Sequence, residues 1–146
     1  MADDRVSCMP YGVVAEKGGA MGPYVMVALG GAVGSALRLG VVRLAQTLVG
    51  SGFPAGTMAV NLIGSTIMGF VGALLAERGG SDPLRLFLMT GVLGGFTTFS
   101  AYSLDALALW DRGEGAAAAL YVVASVVLGL AGVAIGFYIG RQVLAS

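Results

Sequence analysis

The side chains of this sequence that could do chemistry are hydroxyls and a carboxamide set into apolar surroundings. Thr57, Asn61 and Ser65 recur every four residues, so on a helix they form one slanting polar row. The stretch from Gly94 to Ser103, GGFTTFSAYS, puts two glycines, four serine or threonine hydroxyls and three aromatic rings inside an apolar segment. Tyr121 and Ser125 add two hydroxyls four residues apart, and Gly129 continues that row without one. Such groups bind and solvate; they do not cut bonds. Hydrocarbon offers no water to stray backbone groups, so irregular backbone at membrane depth survives only against protein or a wet cavity. A break near Gly94 therefore implies a lined cavity or an ion site. Glycine costs about 1 kcal/mol relative to alanine inside a helix, so Gly94-Gly95 predicts unwinding there, with Thr97 and Thr98 capping a restart at Phe99.

Composition narrows the class. The chain has 146 residues, of which 57% are hydrophobic and 11% charged, with a formal net charge of zero; that describes a small integral membrane protein. Without net positive charge or a basic run, nucleic acid is not a partner. The single cysteine, Cys8, excludes an intramolecular disulfide, and there is no histidine. No metal-ligand cluster or activated nucleophile can be assembled, and Gly91 to Gly95 precedes no lysine in the P-loop pattern. An enzyme is the poorest fit.

The elements that must position the polar groups follow from hydropathy. Residues 1–22, with Asp3, Asp4, Arg5, Glu16 and Lys17, read as a disordered leader, and Met21 is a candidate start; residues 23–146 form the membrane domain. Four spans are expected, at 24–49, 56–76, 84–110 and 116–139, each near the ~20 residues needed to cross a bilayer. Gly30 and Gly34 in the first, and Gly132, Gly136 and Gly140 at the end of the last, have the four-residue spacing that lets helices approach closely. Trp110, Asp111 and Arg112 mark a membrane surface. At 1.5 Å per residue, Arg38 lies roughly 21 Å along from Tyr24. It either snorkels to the interface or lines a vestibule that attracts anions.

Four crossings leave both termini on one side, and Arg78, Arg85 and Arg141 lean that side towards the cytoplasm. So small a bundle buries its ridges and polar rows best as a dimer. Bland roles stand beside the functional ones: Asn61 as interhelical glue, Phe99 as packing, Tyr121 as an interfacial anchor.

With these residues laid out, the chain resembles the CrcB/Fluc family of fluoride channels over residues 23–142. The matching pieces are GGAVGSALR ending at Arg38, GTMAVNLIGS ending at Ser65, and the stretch from Gly91 to Ser103. The resemblance implies an all-α membrane protein: a homodimer of four-helix subunits in antiparallel, dual-topology arrangement, with a broken third helix. It implies passive fluoride export across the cell membrane through two pores built from both subunits. It also implies a structural sodium ion at the dimer centre, held by backbone carbonyls that fall here on Gly94 and Thr97. Asn61 matches the pore amide with Thr57 one turn away, and Phe99 and Tyr102 match the paired aromatic box. Ser100 contributes a hydroxyl, Arg38 matches the first-helix arginine, and Tyr121 and Ser125 match the polar track of the last helix. Tyr102, Ala101 and Gly129 depart from the usual residues. A fixed-orientation subunit paired with an inverted paralogue is the alternative assembly.

Physics agrees with an anion path. Fluoride is small and strongly hydrated, so closely spaced donors must replace its water; Asn61 offers two N–H groups and Thr57, Ser100 and Ser125 one hydroxyl each. Ring edges carry positive potential, so Phe99 and Tyr102 can face an anion without trapping it. A proton-coupled drug exporter needs a membrane-buried carboxylate, and no acid precedes Glu77 in the first two spans; Asp105 is the remaining candidate. A non-transporting assembly factor would explain the glycines but not the aligned hydroxyls.

Overall fold

The computed structural model describes residues 21–78 and 82–145; of the leader assigned to residues 1–22, all but Met21 and Gly22 lies outside the described residues, and Gly22 already belongs to the first helix. The described chain is helical and contains four helices long and apolar enough to cross a membrane. Helix α1 is Gly22–Val49, opened by Pro23, where a missing N–H costs nothing. It closes at Gly50, whose φ of 83° suits glycine and whose N–H bonds Gln46 O at 3.0 Å. Helix α2 is Ala55–Arg78. The third span comprises α3 (82–96) and α4 (Phe99–Asp111). Within α3, Asp82–Arg85 is α-helical, Leu86–Leu93 is π-helical and Gly94–Phe96 returns to α. Helix α5, Gly115–Ala145, completes the bundle. The short turns before α2 and before α5 lie together, tied by Arg112, which reaches Gly52 O at 2.7 Å and Glu114 Oε1 at 2.8 Å.

Glycine seams hold the helices in two pairs. α1 lies on α3: a methyl group on Gly30 would sit 2.5 Å from Phe87 O and 2.9 Å from the Gly91 Cα, and one on Gly34 would run into Val92 O. α5 lies on α2: side chains at Gly132, Gly136 and Gly140 would strike Thr66, the Thr66 carbonyl and Ala73 respectively. Both four-residue ridges read from the sequence are thus contact lines between backbones. Gly140 does not end the last helix, which runs on to Ala145; it is needed for contact, its added Cβ falling 2.8 Å from the Ala73 Cβ.

Burial inside the subunit is thin. Between 11% and 22% of each apolar window is buried, so most apolar surface faces outward, where only lipid or another subunit can cover it. The sparse core gathers Tyr102, Leu109, Ala118 and Tyr121, with Phe53 and Met58 packed against them.

Candidate functional site

The third span is interrupted, but not where glycine propensity places the interruption. Gly94 is helical, with φ −65° and ψ −38°, and Gly95 lies within the following helical turn. The extended residues are Thr97, at φ −75° and ψ 157°, and Thr98, at φ −153° and ψ 122°. Gly95 instead lets α1 approach, since a Cβ there would stand 2.7 Å from Gly31 O. Threonine tolerates extended backbone well. The two threonines also divide their work. Thr97 Oγ1 bonds back to Leu93 O at 2.9 Å, whereas Thr98 caps α4, its Oγ1 accepting from Ala101 N–H at 3.2 Å.

Asn61 reaches this segment from α2. Its Oδ1 accepts from Thr98 N–H at 2.8 Å and its Nδ2 donates to Thr98 O at 3.0 Å. One of the two amide donors assigned to a passing anion is therefore already engaged, and the other remains. Asn61, Ser65, Thr97, Thr98 and Phe99 line an open cavity of about 390 Å³. Ser100, exposed, has its hydroxyl 3.3 Å from that of Thr98.

One turn back along α2, buried Thr57 lines a second cavity of about 130 Å³ with Gln46, Ser51, Asp105 and Arg112. The row Thr57, Asn61, Ser65 thus runs from one cavity to the other. Beside it stands a column of rings: Phe99 lies 5.4 Å from Tyr102, Tyr102 lies 5.4 Å from Tyr121, and Tyr121 meets Phe53 edge-on at 5.7 Å. The ends of the column differ. Phe99 is 78% exposed, while Tyr121 is fully buried. Tyr121 is therefore no interfacial anchor; Phe53, Thr57 and Tyr102 enclose it, and its hydroxyl donates to Asp105 Oδ2 at 3.4 Å. The extra hydroxyl of Tyr102 has a partner in Val122 O at 3.3 Å. Phe53 was not signalled by any motif; an aromatic residue in a turn otherwise made of Ser51, Gly52 and Pro54 was the available clue.

Ser125 Oγ is buried and lacks a hydrogen-bond partner among the described residues. Leaving a buried hydroxyl unpaired costs about 1–3 kcal/mol. Gly129 faces Ser65 across a gap, its added Cβ falling 3.8 Å from Ser65 Oγ. Arg38 is partly buried and turns toward α3: its Nη2 lies 3.4 Å from Ser35 Oγ, which lies 3.4 Å from Gly95 O. It approaches the segment before the break rather than the cavity beside Asn61.

Among the described residues, no hydrogen bond ends on the carbonyl oxygens of Gly94 or Thr97, because the N–H groups that would reach them bond elsewhere. Nor is there a group of three or more His, Cys, Asp or Glu side chains among the described residues. A cation at the break would be held by neutral oxygens, either the neighbouring hydroxyls or the main-chain carbonyls. Those of Gly94 and Thr97 are chemically suited to a small hard ion.

A four-span helical protein with a polar row joining two cavities has the build of a multi-pass membrane protein that passes something small. Comparison with known proteins agrees. The family description "CrcB-like protein, Camphor Resistance (CrcB)" matches residues 25–137, and the chain belongs to that family. It is 56% identical over 122 residues, covering 84% of this chain and 97% of the relative, to a protein of Paracoccus denitrificans named fluoride-specific ion channel FluC. Proteins of the same name from Rhizobium johnstonii and Methylobacterium nodulans are 50% identical over 118 residues and 51% identical over 119. These cover 80% and 81% of this chain, and 94% and 95% of the relatives. Channel relatives and four spans make this a multi-pass protein of the plasma membrane and not an enzyme.

Proposed function

We propose that the chain conducts fluoride passively out of the cell, as a dimer of inverted subunits with two pores and a structural sodium at its centre. The observation that carries the reading is the row Thr57, Asn61, Ser65 bridging two cavities. It supplies donors at intervals of one helical turn, with one Nδ2 hydrogen of Asn61 still unused. A series of weak sites favours throughput over capture. The exposed ring of Phe99 offers a positive edge to an anion and completes its enclosure only against a second surface. The unused hydroxyl of Ser125 is a further donor on α5.

Two free carbonyls, Gly94 and Thr97, support the sodium reading, and an inverted second subunit would bring two more. When bound, such an ion supplies positive charge that offsets the converging carbonyl dipoles and clamps the two breaks together. An inverted paralogue in place of an identical copy would serve the same geometry.

The reading is tested in bacteria deprived of their own fluoride export. Expression of this chain is expected to restore growth in fluoride, and Phe99→Ile to abolish the rescue while the protein still accumulates in the membrane. Absence of rescue by the well-expressed natural sequence would reject it.

A further inference from the structure

Two side chains decide the hydrogen-bond ladder at the break. In a continuous helix each N–H bonds the carbonyl four residues earlier, which assigns Thr98 N–H to Gly94 O and Ala101 N–H to Thr97 O. Neither bond forms. Thr98 N–H goes to Asn61 Oδ1 at 2.8 Å, and Ala101 N–H goes to Thr98 Oγ1 at 3.2 Å. One residue earlier the i to i−4 bond is still made, Thr97 N–H reaching Leu93 O at 2.9 Å. Asn61 then adds a second bond, from Nδ2 to Thr98 O at 3.0 Å, so one carboxamide holds both backbone polar groups of Thr98 as a neighbouring strand would.

The geometry points to Asn61 as the positioning residue of the break: acting from α2, it holds Thr98 out of the helical ladder and thereby frees the Gly94 carbonyl. Thr98 frees the Thr97 carbonyl through its own hydroxyl. Residue 61 is thus coupled to the centre of the assembly as well as to the cavity it lines. The part of this inference that concerns a cation rests on the sodium reading above; the part that concerns backbone conformation does not. Its origin is long-range: the bond partners are 37 residues apart, on helices otherwise joined by few contacts.

The experiment has two arms. In protein labelled with carbon-13 and nitrogen-15 at threonine, the Cα and Cβ shifts of Thr97 and Thr98 are expected to be extended in the natural sequence. They stay extended in Asn61→Asp, which keeps an oxygen in the place of Oδ1, and in Ser65→Ala, which alters the same cavity without touching the break. In Asn61→Leu they move toward helical values, and Asn61→Ala takes its place should leucine prevent folding. Extended shifts in the folded leucine or alanine variant overturn the inference. In the second arm the thermal midpoint of the purified assembly is followed against sodium chloride, with N-methylglucamine chloride as control. Asn61→Leu is expected to need about ten-fold more sodium, the equivalent of one lost hydrogen bond. If the natural sequence ignores sodium, the cation reading falls while the threonine shifts still judge the placement role; if variant and natural sequence respond alike, the coupling is overturned.

Discussion

The two ends of the aromatic column are built to different standards of completeness. At one end Tyr121 is sealed by Phe53, Thr57 and Tyr102, and its hydroxyl reaches Asp105. At the other, Phe99 is exposed beside an open cavity and touches its own chain chiefly through Tyr102. Side chains of similar size, with only Tyr102 between them, therefore play unlike parts. The sealed end belongs to the stability of one subunit. The open end is unfinished within one subunit, and its role is decided by what lies against it.

That contrast yields predictions on a single scale, the stability of the folded subunit measured by denaturation in detergent. The largest effect is expected outside the column, at the seam that holds both ends in register: Gly136→Leu would drive a side chain into the Thr66 carbonyl, and no folded protein should be recovered by size-exclusion chromatography. Tyr121→Ala should destabilise by about 3–5 kcal/mol, as for other large buried rings. A loss under 1 kcal/mol would show the sealed end to be looser than its packing indicates. Tyr102→Phe removes one long hydrogen bond to Val122 O and should cost about 1 kcal/mol or less. Phe99→Ala should change the stability of the isolated subunit least, by no more than about 0.5 kcal/mol. A large loss there would make Phe99 a packing residue and erase the distinction between the two ends.

How much of this was legible in the sequence follows the range of the interactions. The four spans and both glycine ridges are local patterns, and the backbone contacts at Gly34 and Gly136 fall where the spacing put them. The break is only partly local. Propensity pointed to Gly94 and Gly95, yet Gly95 is pressed against Gly31 of the first helix and Gly94 stays helical, so the extended residues are the two threonines that follow. The π-helical run Leu86–Leu93 has no signature in its apolar side chains. Asn61 was legible as a polar residue of interest, but its engagement by Thr98 depends on how two distant helices meet. Read from sequence, both its donors looked free. For Tyr121 an interfacial anchor and a place in the polar track stood side by side, because nothing in its neighbourhood announced that Phe53, from a turn 68 positions earlier in the chain, would cover it.

The central claim is that the row Thr57, Asn61, Ser65 and the ring of Phe99 form a path that admits fluoride and rejects larger halides. The direct measurement is ion efflux from liposomes containing only the purified protein, followed with a fluoride electrode and, in parallel, a chloride electrode. Rapid fluoride release with chloride retained at the level of empty liposomes is the predicted result. Equal release of both ions, or release of neither from protein shown to be folded, would contradict it.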